Sequence, residues 1–196
     1  MIQGKSKVKA VEDWLPRHRI TVHEYYRMEE LGLFAPEART ELIEGEIIDV
    51  APPGSRHASV VAQLNELLVQ AVRGAAIVLV QSPVRLSELS EPLPDLALVR
   101  PRADRYRSSH PTGPDTLLAI EVSLTTWRYD RQVKLPLYAR HGVPEVWIVD
   151  LGKSELHVFR SPRDGDYADV STTDRPGITA IPSLPGVFID LSKLFA

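Results

Sequence analysis

Residues 117–138, LLAIEVSLTTWRYDRQVKLPLY, decide how this chain is read. Thr116 to Val122 is a strand-length run interrupted once among its apolar residues, by Glu121, and such runs lie buried in a sheet covered on both faces. An ionised carboxylate placed there costs several kcal/mol in desolvation unless a cation, a metal or several donors compensate. Upstream, Leu93-Pro-Asp95-Leu-Ala-Leu98 opens a second apolar strand with an acid, and downstream Lys134 falls on the element that follows Glu121. If the two strands pair, Asp95 and Glu121 reach one sheet edge a few ångströms apart, where each acid raises the pKa of the other unless a cation lies between them. A divalent metal shared by Asp95 and Glu121 beside Lys134 would satisfy both. The plainer alternative has Asp95 capping a turn after Pro94 and Glu121 paired with an arginine.

Composition narrows the classes. A chain of 196 residues suits one domain with a sizeable core, and 43% hydrophobic with 25% charged residues excludes a disordered one. The formal net charge of -3 argues against coating nucleic acid by bulk charge, while leaving room for a local basic groove. Without cysteine there is neither a disulfide nor a thiolate zinc site, so a metal must take oxygen or imidazole ligands, which favours magnesium or manganese. No apolar run approaches the roughly 20 residues of a membrane span, and no hydrophobic region follows the early lysines, so a cytoplasmic location is expected by default.

Residues 1–18, with Lys5, Lys7, Lys9 and Arg17, read as a basic tail around a Trp14 anchor, and residues 19–196 as one domain. Thr21 opens a short helix with Glu24 completing a capping box and Gly32 as its stop. Thr40 to Asp49 alternates around Glu44-Gly45, the pattern of a tight hairpin. Glu44 is expected in water; Glu41 belongs either to a solvated strand face or to the site. Ala51-Pro-Pro-Gly54 breaks the chain, and Ser55 caps a helix running to Arg73 with an apolar stripe from Val60 to Val72. His57, in its first turn, is either a satisfied core-facing histidine or a site residue at a helix N-terminus.

Strands are expected over 75–85, with Pro83 near an edge, over 93–99 and over 116–123. Arg100, Arg102, Arg105 and Arg107 around Tyr106 form either a phosphate contact or a solvated loop. Asp130 and Lys134, four apart, meet on one helical face as a surface ion pair in the plain reading, with Tyr138 one turn on; Pro136 kinks the helix and can aim Lys134 at the strand ends. Gln132 is weakly placed towards the site. Strands at 145–151, 155–160, 167–172 and 187–194 complete an α/β fold, a mixed sheet with helices on both faces.

Glu41-Leu-Ile-Glu-Gly45-Glu46, Pro52-Pro53, His57, Pro94-Asp95, Glu121-Val-Ser123, Asp130, Lys134, Tyr138-Ala139 and Gly142-Val-Pro-Glu145-Val-Trp147-Ile-Val-Asp150, in that order, resemble the Uma-two family of restriction-endonuclease-like proteins, a branch of the PD-(D/E)xK nuclease superfamily. The resemblance covers roughly residues 20–190. It implies a restriction-endonuclease-like mixed central sheet flanked by helices, and magnesium, with manganese able to substitute, on Asp95, Glu121 and the Val122 carbonyl. The superfamily places its lysine two residues after the second acid; Ser123 stands there in this chain, and the resemblance to the branch implies a lysine moved onto the following helix, at Lys134. Glu41 and His57 are implied as further site residues. DNA is the implied substrate and a homodimer the expected assembly, since cutting both strands takes two sites. An inactive nucleic-acid-binding or protein-interaction module on the same fold is the alternative.

Overall fold

The computed structural model describes residues 16–196, so the expected Trp14 anchor and the lysines before it lie outside the described residues. Helix α1 (Val22–Glu30) begins with the expected capping box. The Thr21 hydroxyl accepts the Glu24 amide, and the Glu24 carboxylate takes the Thr21 backbone N–H in return. The hairpin of β1 (Thr40–Ile43) and β2 (Glu46–Asp49) turns on Glu44 and Gly45, both at positive φ, as a two-residue turn matched to strand twist requires. Only glycine fits at 45: an added Cβ would sit 2.5 Å from that of Arg19.

The Ala51 to Gly54 break leads into α2 (Ser55–Val72). Gly54 holds the N-cap position and Ser55 is the first helical residue, so the expected serine cap is not made. Strand β3 (Ile77–Val80) is shorter than expected, because Gln81 takes a left-handed conformation that ends the pairing. Strand β4 (Leu96–Val99) starts just after Asp95, and β5 (Thr116–Ser123) has the expected bounds. The chain then forms α3 (Trp127–Tyr129), a π-helical turn (Asp130–Lys134) and α4 (Leu135–Arg140). Strands β6 (Glu145–Asp150), β7 (Glu155–Arg163) and β8 (Asp166–Thr173) follow, then a small hairpin of β9 (Ile178–Ala180) and β10 (Phe188–Asp190). The expected closing strand is therefore three residues long, because the chain turns again at Leu191 to Leu194.

Six strands form one sheet in the order β3-β4-β5-β6-β7-β8. Every neighbouring pair is antiparallel except β5 and β6. Parallel neighbours need a crossover, and here it is the α3 to α4 segment, so the element directly after Glu121 is returned across the sheet. Strand alternation then sorts the side chains. Ile120 and Val122 join Leu96, Leu98, Trp147 and Val149 against the Val60, Val61, Leu64, Leu68 stripe of α2, while Ala119 joins Ile148, Phe159, Leu135 and Tyr138 under α4. Glu121 shares the parity of Ala119 and so faces the crossover.

A buried ion pair ties β6 to β7. Glu145 Oε1 accepts from Arg160 at 2.7 and 2.9 Å and from the Trp147 indole N–H at 2.7 Å. Removing one partner of a fully buried pair costs roughly 3–5 kcal/mol, and the Arg160 side chain is a third exposed, so Arg160→Ala is expected to cost about 2 kcal/mol in urea unfolding. An unchanged midpoint would show that Glu145 needs no cation.

Candidate active site

Asp95 and Glu121, from adjacent strands, line one cavity of about 330 Å³ together with Glu41, His57, Val122, Tyr129, Asp130 and Lys134. Register explains the convergence: Leu96 pairs with Ile120, so the acid before β4 and the acid in β5 fall at neighbouring positions. Asp95 Oδ2 accepts the Val122 amide at 2.8 Å, where β4 pairing has ended, and meets His57 Nε2 at 3.0 Å. Gln81 Nε2 donates to Asp95 Oδ1 at 3.3 Å. Burial alone would raise the Asp95 pKa, but His57 and the Val122 amide hold it below the ordinary carboxylate value. The same contact raises the His57 imidazole.

Lys134 is 3% exposed and its amine is spent inward. It lies 2.7 Å from Glu121 Oε1 and 3.5 Å from Glu41 Oε2, and it donates to the Leu93 carbonyl at 3.1 Å. Burial works against the ammonium, yet Glu121 and Glu41 keep its pKa well above the usual lysine value. Glu121 is driven the other way: burial, with Asp130 and Asp95 nearby, pushes it well up against the pull of Lys134. Tyr138 donates its hydroxyl to Glu121 Oε1 at 2.7 Å, and Tyr129 donates to Glu41 Oε1 at 2.8 Å. The Leu93 amide holds the other Glu41 oxygen at 2.9 Å.

The crossover geometry makes this possible. In the π turn the Leu135 amide reaches back five residues to the Asp130 carbonyl, and the widened turn accommodates the Pro136 ring at the start of α4. Tyr129, just before the π turn, and Lys134, at its end, both reach Glu41. The expected surface ion pair between Asp130 and Lys134 is not what forms. Both are buried, Asp130 accepts the Thr126 hydroxyl at 2.6 Å, and Lys134 pairs with Glu121 and Glu41.

Glu41 is buried rather than on a solvated face, and Glu44 is exposed, in an ion pair with Arg140. Gln132 is exposed and lies outside the cavity lining. The arginine loop is also outside it: Arg102 pairs with Asp104 and stacks on Tyr106, 4.1 Å from the ring centroid. Gln81 and Tyr129 were not legible as site residues. Each acts through a backbone irregularity, left-handed at Gln81 and π-helical after Tyr129, that hydrophobic spacing does not report.

The cavity's charge suits a hard cation. Its lining carries five carboxylates, on Glu41, Asp49, Asp95, Glu121 and Asp130, against the cations Arg39 and Lys134. Carboxylate and carbonyl oxygens are the donor class that magnesium and manganese take.

A family model described as "Uma2: Putative restriction endonuclease" matches residues 22–192. A solved structure, titled as a putative nuclease belonging to DUF820 from Anabaena variabilis ATCC 29413, is similar over 90% of this chain and 97% of that one, with a TM-score of 0.66 and 17% identity. That likeness is one of fold. No curated protein matches.

Proposed function

Because this chain belongs to the Uma2 family, described as putative restriction endonucleases, we propose that it is a metal-dependent endonuclease hydrolysing phosphodiester bonds in DNA. The carrying observation is the meeting of Asp95, Glu121 and Lys134 in one cavity whose acids outnumber its cations. Asp95, Glu121 and the Val122 carbonyl would hold magnesium or manganese. When bound, such an ion lowers the pKa of a coordinated water and offsets charge on the scissile phosphate.

The remaining work falls to the chain's own groups. The Lys134 ammonium, held by Glu121, Glu41 and the Leu93 carbonyl, offsets charge that grows on the phosphoryl oxygens, and burial makes that charge more effective than it would be in water. Glu41, held by Tyr129 and the Leu93 amide, fixes the amine from its other side. His57 and Gln81 orient the Asp95 carboxylate. Pro52 and Pro53, with Leu124, supply apolar wall that limits water around the reacting phosphate. Residues 19–196 act as one domain, and two copies paired by a two-fold axis would cut both strands.

Plasmid cleavage with manganese tests the reading, comparing wild type with Asp95→Asn. The expected result is metal-dependent nicking that falls at least ~100-fold in the variant, about 2.7 kcal/mol of transition-state stabilisation. Manganese bound without cleavage by the wild type would instead indicate an inactive binding module.

A further inference from the structure

A second group of metal-ligating side chains lies outside the cavity, at the β6–β7 hairpin. Asp150, Glu155 and His157 each offer one ligand atom, and all three atoms lie within 4.8 Å of one another. Asp150 ends β6 and pairs with Glu155, which opens β7, while His157 stands two residues further on the same face. Acidic hairpin ends are common, so the acids alone carry little. The informative group is His157.

His157 is 9% exposed, and its buried Nε2 has no hydrogen-bond partner. That nitrogen lies 3.3 Å from Glu155 Oε2, off the line of a hydrogen bond. On the other side of the ring, Nδ1 lies 2.9 Å from the Thr172 hydroxyl. With Nδ1–H donating to Thr172, Nε2 carries a buried lone pair beside the Glu155 carboxylate, and a cation set between the two would take both. Metal-bound histidines are held in this way, the second nitrogen donating to a neighbouring oxygen and so fixing tautomer and ring orientation. The separation also fits: two ligands each ~2.1 Å from one ion and 3.3 Å apart subtend roughly 100°, close to tetrahedral. Trp127 closes one side, its ring centroid 4.5 Å from that of His157, and Lys153 sits over the Trp127 ring, 5.7 Å from its centroid.

We propose that Asp150, Glu155 and His157 bind a divalent transition metal of the zinc class, separately from the nuclease cavity. One imidazole and two carboxylates favour zinc, cobalt or nickel over magnesium, and three protein ligands leave a fourth position for water. Glu121 lies opposite Ile148, which lies opposite His157, so two strand spacings, roughly 10 Å, separate the sites. That exceeds the ~4 Å spacing of metals acting together on one phosphate. The ion would clip the hairpin and, through the Trp127 contact, brace the start of the crossover that carries Lys134.

The test is calorimetric titration of Zn2+ into the full chain carrying Asp95→Asn and Glu121→Gln, so that the first site is disabled. One equivalent should bind and raise the thermal midpoint by several degrees, since a ligand that binds only the native state stabilises it. Adding His157→Gln should remove both the bound equivalent and the zinc-dependent shift. Glu155→Gln, at the rim of the hairpin, provides a second variant with little effect on packing and should weaken zinc at least tenfold. Absence of zinc binding in the double variant, or zinc binding unaffected by both hairpin substitutions, would overturn the assignment. Neither outcome bears on plasmid cleavage, so the two readings fail independently.

Discussion

Lys134→Met is expected to lower stability by about 3–5 kcal/mol and to abolish metal-dependent cleavage, because it removes the cation on which two buried carboxylates converge. Methionine fills a similar volume, so the loss reports charge rather than a cavity. Glu121 and Glu41 would then face each other at 4% and 2% side-chain exposure with only tyrosine hydroxyls and one backbone amide as donors. The same pairing predicts the rescue. Adding Glu121→Gln to Lys134→Met removes one stranded charge, so the double variant should be more stable than Lys134→Met alone, with a coupling of 1 kcal/mol or more, about what contacting groups in one network show. Rescue of stability without rescue of cleavage would separate the structural task of Lys134 from its chemical one. Additive losses in urea unfolding would contradict the ion-pair account.

How much of this was written in the chain depends on the range over which each feature is determined. The Thr21 capping box, the Glu44-Gly45 turn and the β5 bounds are set by neighbours a few residues apart, and each formed where the spacing placed it. The meeting of Asp95 with Glu121 was legible too, because an acid interrupting an apolar strand demands compensation wherever the strand lies. Glu41 was not decidable: its burial depends on Lys134, Tyr129 and Leu93, all distant along the chain. The i, i+4 spacing of Asp130 and Lys134 is that of a solvated α-helical face. One π turn, next to Pro136, turned that face inward and gave Lys134 two acids instead of one. In the sequence His157 is one residue of a strand, since its significance lies in what its Nε2 lacks rather than in any motif.

Glu121→Gln should separate chemistry from folding more cleanly than any other change in the cavity. Glutamine keeps the shape and retains an oxygen that can accept the Tyr138 hydroxyl and the Lys134 ammonium, while Lys134 keeps Glu41 and the Leu93 carbonyl. The charge it removes is one that burial, Asp130 and Asp95 all oppose, so the fold should be at least as stable as wild type. The chemistry should suffer badly. Losing an anionic metal ligand removes both the ion's affinity and its placement against the phosphate, and a fall of 1,000-fold or more in plasmid nicking is expected, about 4 kcal/mol in the barrier. Raising manganese should restore only part of the rate, because binding is recovered by mass action whereas placement is not. Stable protein with wild-type cleavage would remove Glu121 from the reaction and mark the observed activity as a contaminant's; stable protein that holds manganese more weakly and cuts far more slowly is what a ligating carboxylate requires.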